Sequence, residues 1–163
     1  MSETRIIAEP GVQQLTIERE FDAPRELLLR AYTDPELIPQ WLGPRRLAIK
    51  IDRLEPRAAG AWRFLHVDED GTEYGFRGVF HADPSPEGGI VQTWEFEGAP
   101  GHVHLEKLEF EDREGGATLM RSTAVYLSVE SRDAAIASGM ESGVRESMDR
   151  LDELVGRLAP AVS

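Results

Sequence analysis

Phe21-Asp22-Ala23-Pro24, Thr33-Asp34-Pro35-Glu36 and Trp41-Leu42-Gly43-Pro44 stand together within residues 21–44, and their reading decides the fold. Leu15, Ile17 and Phe21 fall at even spacing, the period of a strand with one covered face. Asp22 is a candidate N-cap with Glu26 in the following turn, and Pro24 sits where a missing N–H costs nothing. Leu27, Leu28, Ala31 and Tyr32 then make one apolar helix face. Thr33-Asp34-Pro35 starts a second short helix through Leu37, Ile38 and Trp41, and Gly43-Pro44 stops it.

After residue 44 the period drops to two. Leu47, Ile49 and Ile51 make one strand, and Trp62, Phe64 and His66 make the next after Gly60. Asp68-Glu69-Asp70-Gly71 reads as a hairpin turn into Tyr74, Phe76, Gly78 and Phe80. Residues 83–89 form a loop rich in proline and glycine, followed by strands over 90–96, 102–111 and 117–128. Gly115-Gly116 joins the last two as a tight hairpin, and such short connections force antiparallel neighbours. Lys107-Leu108 suggests a bulge.

One long amphipathic helix is read from Ser131 to Leu158. Ile136, Met140, Val144, Met148, Leu151, Leu154, Val155 and Leu158 recur every three or four residues, and Pro160 closes it. Gly139 and Gly143 inside such a helix cost about 1 kcal/mol each relative to alanine. Close approach to the sheet or room for a ligand would compensate. The order predicts an α+β domain in which an antiparallel sheet of about seven strands wraps the C-terminal helix, with two short helices after strand 1. Residues 1–13 show no periodicity and form a loose lead-in to a single domain over 14–160.

Composition narrows the function classes. The chain has 163 residues, 40% hydrophobic and 29% charged, which is one soluble domain's worth. Without cysteine, disulfides and thiolate chemistry are excluded, and without asparagine there is no N-glycosylation site. No apolar run nears the roughly 20 residues that span a bilayer, and residues 1–10 lack a signal-peptide pattern. These features lead us to expect a cytoplasmic protein with no membrane insertion. A formal net charge of -12 repels phosphate backbones, so a nucleic-acid partner is disfavoured.

The element order resembles the helix-grip fold of the START-like superfamily, also called SRPBCC. The motifs in residues 21–44 resemble the opening of the family named after activators of the heat-shock ATPase. Gly60-Ala61-Trp62-Arg63-Phe64, Gly71-Thr72-Glu73-Tyr74, Gly139-Met140-Glu141-Ser142-Gly143 and Met148-Asp149-Arg150-Leu151 continue that pattern in order. The resemblance covers about residues 14–158. It implies a bacterial single-domain protein, a name linked to stress response, and relatives that include lipid carriers, polyketide cyclases and small-molecule-binding resistance proteins. The sequence departs from the family where a second tryptophan usually stands at Leu42 and an aromatic at Val144. Both changes are large to small, and each would leave extra space at an unchanged backbone.

The function expected from this reading is binding of a hydrophobic small molecule, lipid-like or polycyclic aromatic, between sheet and helix. Trp41 and Leu42 would form a wall or gate; Met140, Val144 and Met148 the helical side; Trp62, Phe64, Tyr74, Phe76, Trp94 and Phe96 the floor. An ordinary core is the better account of most of these aromatics, with a subset lining the pocket. Arg63, Glu95, Glu106 and Arg121 lie in the same strands, and any that points inward is a costly charge unless paired. Solvent-exposed ion pairs are the simpler account of them.

A cyclase or hydrolase using the same cavity would draw on Glu95, Glu106, His104 or Arg121 as acid, base or orienting group. His102, His104 and Glu106 alternate and have metal-ligand chemistry, but cross-strand pairing explains them better and no metal or cofactor is expected. His66 and His81 read as sheet or surface histidines. The serine in Gly139-Met140-Glu141-Ser142-Gly143 is one place late for a nucleophile elbow. No catalytic residue is assigned. A heat-shock chaperone is the other candidate partner, although a 13-residue lead-in leaves no room for the separate amino-terminal domain of the eukaryotic activators. A monomer or a homodimer fits equally.

Overall fold

Residues 3–159 are described by a computed structural model. A short strand, β1 (Arg5–Ile7), pairs antiparallel with β2 (Gln14–Phe21), whose Leu15, Arg19 and Phe21 are buried. The chain then forms α1 (Arg25–Thr33), which buries Leu28 and Ala31. Pro24 takes the N-cap position, with no side-chain cap, while Asp22 stays exposed and caps nothing. The second short helix is only a 3₁₀ turn over Ile38–Gln40. The indole N–H of Trp41 donates to the Ala31 carbonyl across 2.9 Å, which folds this turn back onto α1.

Six strands follow: β3 (Ala48–Leu54), β4 (Ala61–Val67), β5 (Glu73–Val79), β6 (Ile90–Phe96), β7 (Val103–Asp112) and β8 (Thr118–Tyr126). They run as a meander, and β8 returns beside β2, giving the order β1-β2-β8-β7-β6-β5-β4-β3. Among the described residues the sheet thus has eight strands. Register through Lys107 and Leu108 is regular on both sides, so no bulge lies there. The irregularity falls in β3, between Ile51 and Arg53.

The long C-terminal helix is two helices. α2 (Val129–Ala137) begins at Ser128, whose Oγ accepts from the Ser131 N–H at 3.0 Å, and α3 runs Met140–Leu158. Gly139 separates them at φ +87°, a left-handed conformation that only glycine adopts without strain. The apolar spacing of Ile136 and Met140 hides the break, because it continues across it. Pro160 lies outside the described residues.

Met148, Leu151, Leu154 and Val155 of α3 pack on Phe21, Trp62, Phe80, Ile90, Leu108, Phe110 and Met120 of the strands and their flanks, and on Leu28 and Ala31 of α1. Each such side chain contributes about 1.5–3 kcal/mol on full burial. The segment before β2 is tied down rather than loose. Buried Arg19 donates to Thr4 Oγ1 at 3.1 Å and to Asp149 Oδ1 at 2.6 Å, and Arg145 donates to the Thr4 carbonyl at 2.6 Å. Three residues of strand are too short to show a period, and the ties come from α3 and β2. The architecture, a large antiparallel sheet gripping a C-terminal helix, is the helix-grip fold.

Candidate functional site

Burial along the inner sheet face changes from one end to the other. Phe21, Trp62, Ile90, Leu108, Phe110 and Met120 are sealed under α3. Further along the same strands Ile17, Phe76, Trp94, His104, Glu106 and Tyr126 are only partly covered, and Phe96 is 38% exposed. Leu42 and Val144 are likewise half-buried against the core. The fold closes at one end and leaves the inner face accessible at the other, near the start of α3.

That open end carries a row of rings across five strands. His66 of β4 meets Phe76 of β5 at 4.6 Å between centroids, and Phe76 meets Phe96 and Trp94 of β6 at 5.0 and 6.3 Å. Trp94 lies parallel to His104 of β7 at 6.4 Å, and His104 meets Tyr126 of β8 at 4.7 Å. The row follows from register: Trp94 is opposite His104, and His104 is opposite Tyr126. Such offset and tilted pairs are favourable beyond their area.

Beside the row sits one carboxylate. Glu106 Oε1 accepts from Gln92 Nε2 at 2.8 Å and from the Trp94 indole at 3.2 Å, and Oε2 accepts from Ser122 Oγ at 3.1 Å. Three neighbours feel its charge. Burial, then Glu106, pushes the Tyr126 phenol up to about 12, and the same causes raise Tyr32 further. Burial lowers His104, with Glu106 opposing. Neutral phenols and a neutral imidazole around one carboxylate can accept and donate hydrogen bonds to a polar end of a ligand.

A clamp fixes the wall opposite. Arg150 of α3 donates to the carbonyls of Gln40 (3.1 Å), Leu42 (3.3 Å) and Gly43 (2.8 Å). Ser147 Oγ accepts from the Gly43 N–H at 2.7 Å, and Glu146 accepts from the Arg45 N–H at 2.8 Å. Gly43, at φ +77°, lies against the His66 ring; a Cβ there would be 3.2 Å from it. His66 is buried, its Nε2 has no partner among the described residues, and desolvation lowers its pKa to about 4.

These positions revise the residue-level expectations. Trp41, Trp62, Phe64 and Met148 are buried core rather than accessible lining. Tyr74 is at the rim, its hydroxyl 3.2 Å from Asp68. Met140 opens α3 and is partly covered. Arg121, Glu95 and Arg63 face outward: Arg121 pairs with Glu18 at 2.8 Å, Glu95 with Arg77 at 2.9 Å, and Arg63 with Glu97 at 2.7 Å. Alternation with Met120, Trp94 and Phe64 dictates that. Gly143 makes no close approach to the sheet, since a Cβ there would meet only Pro44 Cδ, at 3.9 Å.

Among the described residues no group of three His, Cys, Asp or Glu side chains could hold a metal ion; His102 sits exposed before β7, apart from Glu106. His81 is exposed after β5. A separate open cleft of about 560 Å³, lined by Arg5, Glu18, Arg19 and Arg121 among others, consists largely of ion-paired side chains. The sequence reading missed Gln92, Ser122, Tyr126 and Tyr32. Gln92 interrupts Ile90 and Trp94, and Ser122 interrupts Met120 and Ala124; polar residues at covered positions were the available signal.

Comparison with known proteins agrees with this geometry. A crystal structure from Rhodobacter sphaeroides is 28% identical, with 95% of this chain and 99% of that one covered and a TM-score of 0.85. Structures from Arthrobacter aurescens and Mycobacterium smegmatis share the fold at 22% and 20% identity. Their TM-scores are 0.84 and 0.83; coverage is 96% of this chain and 92% of that one for the former, 98% of each for the latter. No curated protein matches the chain. No helix among the described residues is long and apolar enough to cross a membrane. The family model described as "Activator of Hsp90 ATPase homolog 1-like protein" matches residues 22–156, and family and fold together support a ligand-binding or chaperone-related domain. With that match over most of its length, the chain belongs to the family of activator of Hsp90 ATPase homolog 1-like proteins.

Proposed function

We propose that this protein binds a hydrophobic small molecule, lipid-like or polycyclic aromatic, between the inner sheet face and α3. The observation that carries the reading is the uncovered end of the inner face, where apolar rings flank a few convergent polar groups. Ligand sites have that composition. The rings of Phe76, Trp94 and Phe96 form the apolar floor, Leu42 and Val144 the facing wall, and Glu106 the polar contact. The smaller residues at 42 and 144 widen the space.

A thermal-shift panel of lipids and polycyclic aromatics on the wild type and Val144→Trp tests it. Binding to the folded state alone raises stability with ligand concentration. At least one panel member should raise the wild-type midpoint and lose that effect in Val144→Trp. A panel without effect on the wild type would count against the reading. A cyclase or hydrolase reading retains only Glu106 and His104, the two candidates that face inward; turnover of a bound ligand, lost in both Glu106→Gln and His104→Phe, would favour it.

A further inference from the structure

Glu106 is a carboxylate on the inner face without a cation. Among the described residues its partners are the neutral donors Gln92, Trp94 and Ser122, and it forms no ion pair with Arg, Lys or His. The surrounding titratable groups, Tyr32 on α1, His104 on β7 and Tyr126 on β8, are held neutral by burial. Among the described residues the cation whose charge reaches Tyr126 is Arg132, and it is committed elsewhere. It donates to Asp133 at 2.8 Å and to the Glu9 and Gln14 carbonyls at 2.7 and 3.2 Å.

Each carboxylate oxygen offers two lone-pair directions. Oε1 uses both, for Gln92 and Trp94. Oε2 uses one, for Ser122, and retains one. A carboxylate held only by neutral donors at a partly covered place gains from a cation brought to it. Beside it stands the Trp94–His104–Tyr126 ring row, with the Trp94 edge donating to it, and the faces of an indole and a phenol attract positive charge. The formal net charge of -12 adds long-range attraction for cations and repulsion for anions.

We infer that the ligand is a cationic amphiphile: an apolar body ending in a protonated amine, which pairs with Oε2 of Glu106 and lies against the Trp94–His104–Tyr126 rings. This rests on the small-molecule-binding reading and sharpens it. It selects against ligands whose polar end is a carboxylate or phosphate, fatty acids included, because that end would meet Glu106.

Three probes of one chain length separate the end groups: n-octylamine, 1-octanol and octanoate, titrated by calorimetry and by quenching of tryptophan fluorescence at pH 7. Octylamine should bind at least about tenfold tighter than octanol, and octanoate weaker than octanol. Glu106→Gln, which keeps an acceptor oxygen, should lower octylamine affinity about tenfold and change octanol by less than about twofold. Octylamine no tighter than octanol, octanoate as tight as octylamine, or a folded Glu106→Gln that leaves octylamine unaffected would overturn the inference. If octanol or octanoate binds in any of these cases, the broader binding reading stands; if none of the three binds, the inference falls, and the panel of lipids and polycyclic aromatics decides the broader reading. The wild-type ranking decides even if the variant does not fold.

Discussion

The Arg150 guanidinium on α3 donates to the Gly43 carbonyl across 2.8 Å, so the helix holds the loop that walls the open end of the sheet. The same side chain binds the Leu42 and Gln40 carbonyls, and desolvation lowers its pKa, the sign of a cation partly withdrawn from water.

Arg150→Met keeps the apolar stem and removes three charge-assisted bonds. The expected loss is about 2 kcal/mol. Native-state hydrogen exchange should quicken at the amides of Leu42, Gly43 and Arg45, because their attachment to α3 is weakened. Unchanged exchange there would show that Ser147 and Glu146 hold the loop without Arg150.

His66 gives the protein a pH dependence of defined sign. Its folded pKa, about 4, is below its ordinary 6.5, so between these values the unfolded chain binds the extra proton. Stability from this group is fully present above pH 6.5 and falls as pH drops toward 4. At pH 4.5 the loss relative to pH 7 is about 2 kcal/mol. Unfolding free energies from urea titration at the two pH values should differ less in His66→Phe than in wild type by that amount. Equal pH slopes in both proteins would remove His66 as the cause.

Glycines of α3 and β5 should respond oppositely to alanine. A Cβ at Gly78 would run into the Thr93 carbonyl oxygen and lie 2.6 Å from Trp62 Nε1, so Gly78→Ala should cost about 3 kcal/mol. Gly156 is exposed on α3 with open space around its Cβ position, and Gly156→Ala should add about 1 kcal/mol. Chemical denaturation of the two variants checks both signs. A neutral Gly78→Ala would mean that β5 and β6 can separate at Thr93 without loss.

The fold was legible because its signals are local. Even spacing in Leu15 to Phe21, the glycine hairpins and the spacing of Met148, Leu151, Leu154 and Val155 each concern one element. What escaped depended on partners. Arg5-Ile6-Ile7 becomes a strand by pairing with Thr16, Ile17 and Glu18 of β2, and Arg19 and Arg145 tie down Thr4 beside it. Gly139 breaks the last helix while the apolar period runs on through it. In the site, alternation already put His104 and Glu106 on one face, while the supposed bulge at Lys107-Leu108 left the facing of Arg121 and the other strand charges open. The partners Gln92, Ser122 and Tyr126 meet Glu106 or His104 only through the register of three strands, which no single segment specifies.

Native mass spectrometry of the protein purified from its own host tests the central claim, occupancy of the space between sheet and α3 by a hydrophobic small molecule, most directly. The account predicts a mass above that of the bare chain by a small apolar compound, released on denaturation and absent from Val144→Trp prepared in the same way. A bare chain from the native host, together with no thermal stabilisation by any lipid or polycyclic aromatic, would contradict it.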